Sequence, residues 1–192
     1  MTESVYRVDK EFENDNYTLN LFAQGEYDNC TFNHCIFTDV DLRNSSFEGC
    51  QFSNCDLSSA KISGTAFRDA VFKNCKLFGL AFKEIHPFII KLRFYDCRLN
   101  MSVFEGLDLT DCEFKSCELH DADFTNANLS GLFFDTCDLT RVQFDHTSLE
   151  NADFTTAKNF QIDPENNRLT NARFSIMGLP GLLHKYNLDV EL

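Results

Sequence analysis

The chain has 192 residues and a formal net charge of −13, because 30 Asp and Glu outnumber 17 Lys and Arg. This balance disfavours binding to nucleic acid or to an anionic membrane, since both need a basic face, and it suits a basic partner. The first twelve residues hold no apolar stretch of signal-peptide length, and no later segment approaches the roughly 18 apolar residues of a membrane helix. The sequence therefore predicts a cytoplasmic protein built as one domain or one short solenoid.

Large apolar residues recur every five positions in two blocks. The first block runs from Tyr27 to Phe82 and the second from Phe94 to Phe154, and no polar residue interrupts either. Two places before each large residue the chain is small or apolar, so the unit is small–x–large–x–x. A helix would spread this period around its axis, and a continuous strand would send alternate members to opposite faces. The period instead predicts short extended sides joined by corners, with four sides in a coil of about 20 residues and parallel pairing between coils.

All nine cysteines occupy the small inward position of this unit. They are Cys30, Cys35, Cys50, Cys55, Cys75, Cys97, Cys112, Cys117 and Cys137. Cysteines five apart should lie on different sides of a coil, which does not suit the converging ligands of a zinc site. Cys30 and Cys50, or Cys55 and Cys75, lie close enough in neighbouring coils to consider a disulfide, but a cytoplasmic setting disfavours one. We therefore predict that the cysteines are small core residues.

The pattern resembles the pentapeptide-repeat family over roughly residues 20–175. The segment ADFTNANLSG at 122–131 fits the family motif A(D/N)LXX. The resemblance implies an all-β solenoid, namely a right-handed quadrilateral parallel β-helix with a C-terminal helix and strand cap. We expect the β-helix to span residues 1–175, with an interrupting loop at 83–93 and an irregular stretch at 155–168. Residues 176–192 are then the capping and dimerisation segment.

The predicted loop separates two repeats that are twelve residues apart instead of ten. It contains Pro87, which lacks the N–H that a strand ladder needs. One interpretation is a bulge that corrects the register. The other is a protruding contact element with His86, Pro87 and Phe88 near its tip.

The second block is much more acidic than the first. Residues 25–82 hold seven acids and five bases, whereas residues 94–154 hold thirteen acids and only Arg98, Lys115 and Arg141. Thirteen repeats make about 15 Å of axis at the inter-strand spacing, so the block carries about one net charge per 1.5 Å. Duplex DNA carries one per ~1.7 Å. The acids are Asp96, Glu105, Asp108, Asp111, Glu113, Glu118, Asp121, Asp123, Asp135, Asp138, Asp145, Glu150 and Asp153.

Two interpretations of these acids remain open. Six of them occupy the D/N position of the motif, where a carboxylate can simply accept backbone hydrogen bonds near a corner. The other seven point outward and have few neighbouring bases. Glu118 and Asp138 are twenty residues apart and should stack with like charges close together, which costs stability. That cost favours mimicry of DNA over a purely structural role.

The C-terminal segment contains GLPGLLHKY, which predicts a short helix, and NLDVEL, which alternates like a strand. One interpretation is a cap that covers the open end of the solenoid. The segment from 172 to 192 also resembles the gyrase-protecting branch of the family, which includes Qnr-type quinolone-resistance proteins and the albicidin- and microcin-immunity proteins. That resemblance implies a homodimer formed through the C-terminus. The candidate dimerisation residues are Leu179, Leu182, Leu183, Tyr186, Leu188, Val190 and Leu192.

No active site is apparent in the sequence. The five histidines are scattered, no nucleophile accompanies His120 or His146, and no glycine-rich phosphate loop occurs. We expect no enzyme activity, cofactor or metal. The resemblance implies a DNA-mimicking protein that binds DNA gyrase, and secondarily topoisomerase IV, and protects it from a poison, as antibiotic resistance or toxin self-immunity. The alternative is a structural or adaptor protein whose acidic surface binds an unrelated partner.

Overall fold

The protein forms a parallel β-solenoid of about eight turns, in which the large side chains of the five-residue period point inward and stack. The structure is a computed structural model that describes residues 4–88 and 90–188. Equivalent residues of successive coils are twenty apart in sequence, as in the pairs Phe32–Phe52 and Phe114–Phe134, except across the interrupting loop, where Phe72 pairs with Phe94. The predicted all-β, four-sided parallel β-helix is confirmed.

The regular elements are short because each side of the coil holds only about three residues. The strands are Val5–Val8 (β1), Glu11–Glu13 (β2), Gly25–Asp28 (β3), Thr31–Asn33 (β4), Ser46–Glu48 (β5), Gln51–Ser53 (β6), Ala66–Arg68 (β7), Ala70–Lys73 (β8), Leu92–Tyr95 (β9), Glu113–Lys115 (β10), Phe134–Asp135 (β11), Asp153–Phe154 (β12) and Arg173–Phe174 (β13). The helical elements are 3₁₀ turns at Phe82–Glu84, Ile176–Gly178 and His184–Tyr186, and one α-helical turn at Pro180–Leu183 (α1).

Four ladders define the sides of the solenoid. Side 1 contains β1, β3, β5 and β7, and continues as bridges from Asp108 to Arg168. Side 2 contains the sheet of β2, β4, β6 and β8 to β11, and the bridge Phe133–Asp153 continues it to the pair β12 and β13. Side 3 is a column of bridges from Asn16 to Lys158, and side 4 contains the bridges Asp41–Lys61 and Ala81–Val103–Asp123–Gln143.

The corners explain why Asn, Asp and Gly recur two places after the large residue. That corner position has a positive φ in most repeats, as at Asn54 (φ 55°), Gly64 (φ 69°) and Asn126 (φ 59°). Asn, Asp and Gly tolerate this left-handed region better than other residues. The sequence period therefore specifies both the inward side chains and the turns.

Columns of aromatic rings fill the interior. The rings of Phe104 and Phe124 stack at 4.8 Å with an interplanar angle of 6°. All nine cysteines are buried free thiols, which confirms their assignment to the core. Six of them form one column between sides 2 and 3, where thiols lie within hydrogen-bonding distance of backbone carbonyls, such as Cys55 Sγ to Phe32 O at 3.3 Å.

The interrupting loop replaces the side 1 strand of one coil. Ile85 is buried, whereas His86, Pro87 and Phe88 are exposed. The His86 N–H donates to Thr65 O at 2.8 Å, which ties the start of the loop to the preceding coil. The strand ladder resumes in register at Leu92, opposite Ala70. The loop therefore absorbs the two extra residues and also projects three exposed side chains.

The C-terminal segment covers the end of the solenoid, and the predicted short helix is present. The backbone of Gly181 lies against Phe160, and its carbonyl accepts a hydrogen bond from the Ile162 N–H at 3.0 Å. Lys185 Nζ pairs with Asp163 at 2.6 Å and with Glu165 at 2.8 Å. The predicted terminal strand falls mainly on residues 189–192, which lie outside the described residues. Within the described ranges, no helix is long and apolar enough to cross a bilayer.

Candidate protein-binding surface

The thirteen predicted carboxylates are not spread evenly around the solenoid. Those on sides 4 and 1, or at the corner that follows side 1, are Glu105, Asp108, Asp111, Asp123, Asp145 and Glu150. Those on sides 2 and 3 and their following corners are Asp96, Glu113, Glu118, Asp121, Asp135, Asp138 and Asp153. The three bases of the block, Arg98, Lys115 and Arg141, all belong to the second group of sides. The sequence had predicted one acidic block, whereas the fold separates it into two surfaces of different character.

Six of the thirteen carboxylates have a Lys or Arg nitrogen within 4 Å. The pairs are Lys83–Glu105 (2.7 Å), Arg98–Glu118 (3.5 Å), Arg141–Asp121 (2.6 Å), Lys115–Asp135 (3.1 Å), Arg168–Glu150 (3.9 Å) and Arg173–Asp153 (2.8 Å). Lys83, Arg168 and Arg173 come from outside residues 94–154, so counting charge along the sequence missed them. Pairing between coils therefore lowers the effective charge of the block below its formal value.

The predicted stack of Glu118 and Asp138 is present on side 3. Each carboxylate also has a nearby cation or potential cation. Arg98 approaches Glu118 at 3.5 Å, and His120 Nε2 lies 3.2 Å from Asp138. The like-charge contact is thus partly offset, and it does not by itself argue for mimicry of DNA.

Four carboxylates at the D/N position have the structural role considered above. Asp108, Asp123, Asp138 and Asp153 each accept the backbone N–H of a threonine two residues later, at 2.8–3.1 Å. This contact holds the corner and occupies one carboxylate oxygen. For Asp138, partial burial raises the pKa, but hydrogen bonds from Thr140, Asn159 and His120 outweigh burial and hold the pKa at about 2.

The depressed pKa of Asp138 predicts a loss of stability in acid. A carboxylate with a lower pKa in the folded state stabilises the protein above its unfolded pKa of about 3.9, and this contribution disappears as the pH falls towards 2. We expect the free energy of unfolding to decrease over that interval, as measured by urea titrations at several pH values. Asp138→Asn keeps an acceptor oxygen but cannot titrate, so its pH dependence should be shallower. An unchanged slope in this variant would contradict the assignment.

Sides 4 and 1 of the second half form what we call the acidic face, defined by Glu105, Asp108, Asp111, Asp123, Asp145 and Glu150. No Lys or Arg of residues 94–154 lies on these sides. Within the part of the chain that the structure describes, only the two glutamates of this face pair with Lys or Arg, and these bases come from adjoining coils. Among the described residues, the four aspartates have no Lys or Arg nitrogen within 4 Å. Asp145 has His146 Nδ1 at 3.1 Å. Among the described residues, this face thus holds four of the seven carboxylates of the block that lack a Lys or Arg partner, and the other three are Asp96, Glu113 and Asp138.

The interrupting loop borders the acidic face. A groove of about 410 Å³ lies between them, lined by Pro87 and Ile90 on one side and by Asp108 and Asp111 on the other. Phe88 is 60% exposed at the tip of the loop. The fold thus brings the predicted loop residues next to two of the predicted carboxylates, a proximity that their separation in sequence did not indicate.

The outer surface of the C-terminal cap is apolar. Among the candidate dimerisation residues, Leu179, Leu183, Tyr186 and Leu188 are exposed. Leu182 instead packs against the solenoid core, which makes it part of the cap contact. Val190 and Leu192 lie outside the described residues. Sequence reasoning missed Ile176 and Met177, which are exposed in the same segment; their position next to the end of the last strand was the available signal.

The family model for the pentapeptide repeat region matches residues 45–124 and 88–154. A search of curated proteins gives no match. Among solved structures, the chain is similar to HetL, a pentapeptide repeat protein involved in heterocyst differentiation regulation from the cyanobacterium Nostoc sp. strain PCC 7120. The two have a TM-score of 0.69 and 16% identity, over 92% of this chain and 90% of HetL.

A second similar structure is a trypsin-treated form of QnrB1, a plasmid-mediated fluoroquinolone resistance protein. Its TM-score is 0.62 at 16% identity, over 96% of this chain and 92% of QnrB1. At such identities the likeness concerns the fold alone. The family model, however, covers more than half of the sequence and agrees with the observed coils. The chain therefore belongs to the pentapeptide-repeat family.

Proposed function

We propose that this protein binds a type II topoisomerase, DNA gyrase first and topoisomerase IV second, and protects it from a poison. The acidic face would occupy positively charged surface that normally contacts DNA. The observation that carries the proposal is that sides 4 and 1 carry six carboxylates of residues 94–154 and no Lys or Arg of that segment. The likeness in fold to a fluoroquinolone resistance protein adds support.

The spacing of these charges is compatible with DNA mimicry. Three coils at the inter-strand distance extend about 14 Å along the axis. The four aspartates without Lys or Arg partners then give about one charge per 3.6 Å, close to the ~3.4 Å per phosphate along one DNA strand. In charge spacing, the acidic face would thus resemble a single strand of the DNA duplex more than the two strands together. Electrostatic attraction would accelerate encounter and make binding sensitive to salt.

Two other surfaces contribute to the proposal. Phe88 would add an apolar contact at the edge of the acidic face. The exposed apolar side chains of the cap, including Leu179 and Tyr186, would form a homodimer interface, so that two acidic rods extend from one centre. The protein would act in the cytoplasm and bind its target without catalysing a reaction.

The test is a gyrase supercoiling and DNA-cleavage assay with a quinolone and with a peptide toxin. We expect the wild type to inhibit supercoiling or to reduce poison-induced cleavage. Asp111→Lys/Asp145→Lys should weaken this effect by about tenfold or more, because it reverses two charges on the acidic face. These positions are preferred over Glu118 and Asp138, which support the structure through Arg98 and Thr140.

The matched control is Glu26→Lys/Asp28→Lys, which makes the same change in net charge on side 1 of the first half. It should retain full activity. If both variants lose the same amount of activity, the effect depends on net charge and not on the acidic face. If the action on gyrase responds neither to these substitutions nor to salt, the mimicry of DNA is wrong. No action of the wild type on either topoisomerase would contradict the proposed function.

The second candidate function is an adaptor that presents the acidic surface to an unrelated partner. The likeness in fold to HetL, which is described as involved in heterocyst differentiation regulation, favours it. An adaptor of this kind would not affect either topoisomerase. The wild type would still bind its partner, and Asp111→Lys/Asp145→Lys would not.

A further inference from the structure

The N-terminal end of the described solenoid has open strand edges. The outermost strands are β1 on side 1 and β2 on side 2, and they pair only with β3 and β4. No described residue covers their other edge, whereas the opposite end is covered by the C-terminal cap. Unpaired strand edges bind further extended chain readily, because their N–H and C=O groups lack partners.

The aromatic columns are also open at this end. The ring of Phe12 stacks on Phe32 at 4.7 Å with an interplanar angle of 7°, and the ring of Tyr17 stacks on Phe37 at 4.8 Å. Both are end members of their columns, and both are only partly buried. A side chain placed over Phe12 would extend the ring stack that continues through Phe32, Phe52 and Phe72, and one placed over Tyr17 would extend its shorter stack on Phe37.

The first coil carries leucine where later coils are mainly polar. Leu19 and Leu21 are 82% and 85% exposed, and the corresponding residues one coil later are Asp39 and Asp41. A groove of about 750 Å³ beside them is lined by Tyr17, Leu21, Phe22 and Val40, among other residues. Two leucines at such exposure disfavour solubility unless they make a contact.

Charge indicates what kind of chain would add to this edge. Glu11 and Glu13 flank Phe12 on β2 and point outward. Neither has a Lys or Arg nitrogen within 4 Å among the described residues. A second copy joined edge to edge would bring these glutamates close to their equivalents, which costs energy. A strand with Lys or Arg opposite them would gain energy instead.

We propose that this end binds an extended segment of a protein partner as an added coil. The segment would carry two aromatic or large apolar residues five apart, one over Phe12 and one over Tyr17. Lys or Arg would flank the first of these, opposite Glu11 and Glu13. Leu21 and the adjacent groove would hold the residues that follow. The inference is independent of topoisomerase binding, because it concerns the opposite end from the cap and none of the acidic face.

The test uses a fluorescein-labelled peptide, Lys-Phe-Lys-Asn-Ala-Ser-Phe-Ser, and fluorescence anisotropy with the full chain. We expect saturable binding. A peptide with Glu in place of both Lys, and one with a residue inserted between the two Phe, should each bind about tenfold more weakly or worse. The variant Glu11→Lys/Glu13→Lys should no longer bind the Lys-containing peptide and should bind the Glu-containing peptide instead. A misfolded variant could not produce this reversal of preference.

Three results would overturn the inference. The first is no saturable binding of the Lys-containing peptide. The second is binding that does not respond to Glu11→Lys/Glu13→Lys. The third is self-association of the wild-type chain, measured by analytical ultracentrifugation, that is absent in Leu19→Ser/Leu21→Ser. Such a result would identify a second copy of the chain as the occupant of this end. Asp111→Lys/Asp145→Lys serves as the control and should bind the peptide as the wild type does.

Discussion

Phe124→Ala is expected to lower the free energy of unfolding by about 3–5 kcal/mol, as measured by urea denaturation. Phe124 is fully buried, and its ring stacks between Phe104 at 4.8 Å and Phe144 at 5.8 Å. Its edge contacts with Phe114 and Phe134 join two columns, at 6.0 and 6.2 Å. Truncation removes all four ring contacts and leaves a cavity that the surrounding backbone ladders prevent from closing.

The control is Phe88→Ala, which removes the same ring from the tip of the loop. Its effect on unfolding should stay within about 0.5 kcal/mol, because the side chain is mostly exposed. Comparable losses in the two variants would contradict the view that stacking of inward rings stabilises the solenoid. A loss that spreads over several transitions in Phe124→Ala would indicate that the coils unfold in separate units.

Gly181→Ala is expected to release the C-terminal cap. A Cβ at this position would lie 2.3 Å from Phe160 O and 3.0 Å from the Phe160 ring, so backbone must move. Such overpacking costs typically about 1–3 kcal/mol. We expect faster amide hydrogen exchange over residues 176–188 and, if the cap forms the homodimer, a shift of the protein to monomer in analytical ultracentrifugation.

Gly106→Ala is the control for Gly181→Ala, because it also replaces a glycine but leaves the contact between the cap and Phe160 unchanged. A Cβ at Gly106 meets nothing within 4 Å, so the cost there comes only from its φ of +70°, roughly 1 kcal/mol. Hydrogen exchange in the cap should not change in Gly106→Ala. Normal protection of residues 176–188 in Gly181→Ala would show that the cap does not depend on this close approach.

The repeat alone was sufficient to predict the coils, since each unit of five carries both its inward residues and its corner. The burial of the nine cysteines, the break near Pro87 and the helical turn at α1 followed from the same local pattern. The packing of Leu182 against the core could not be read from the sequence, because a short helix has two apolar faces and the sequence does not say which one meets the core.

The sequence by itself determined the period, and the period determined the solenoid, because backbone pairing between coils requires only that the same unit recurs. The surface was decided by the tertiary structure. Lys83 reaches Glu105 and Arg173 reaches Asp153 across coils, while Asp111 and Asp145 have no Lys or Arg partner among the described residues. Residues about twenty apart become neighbours only when the chain closes a coil, so the net charge of a segment does not give the charge of a face.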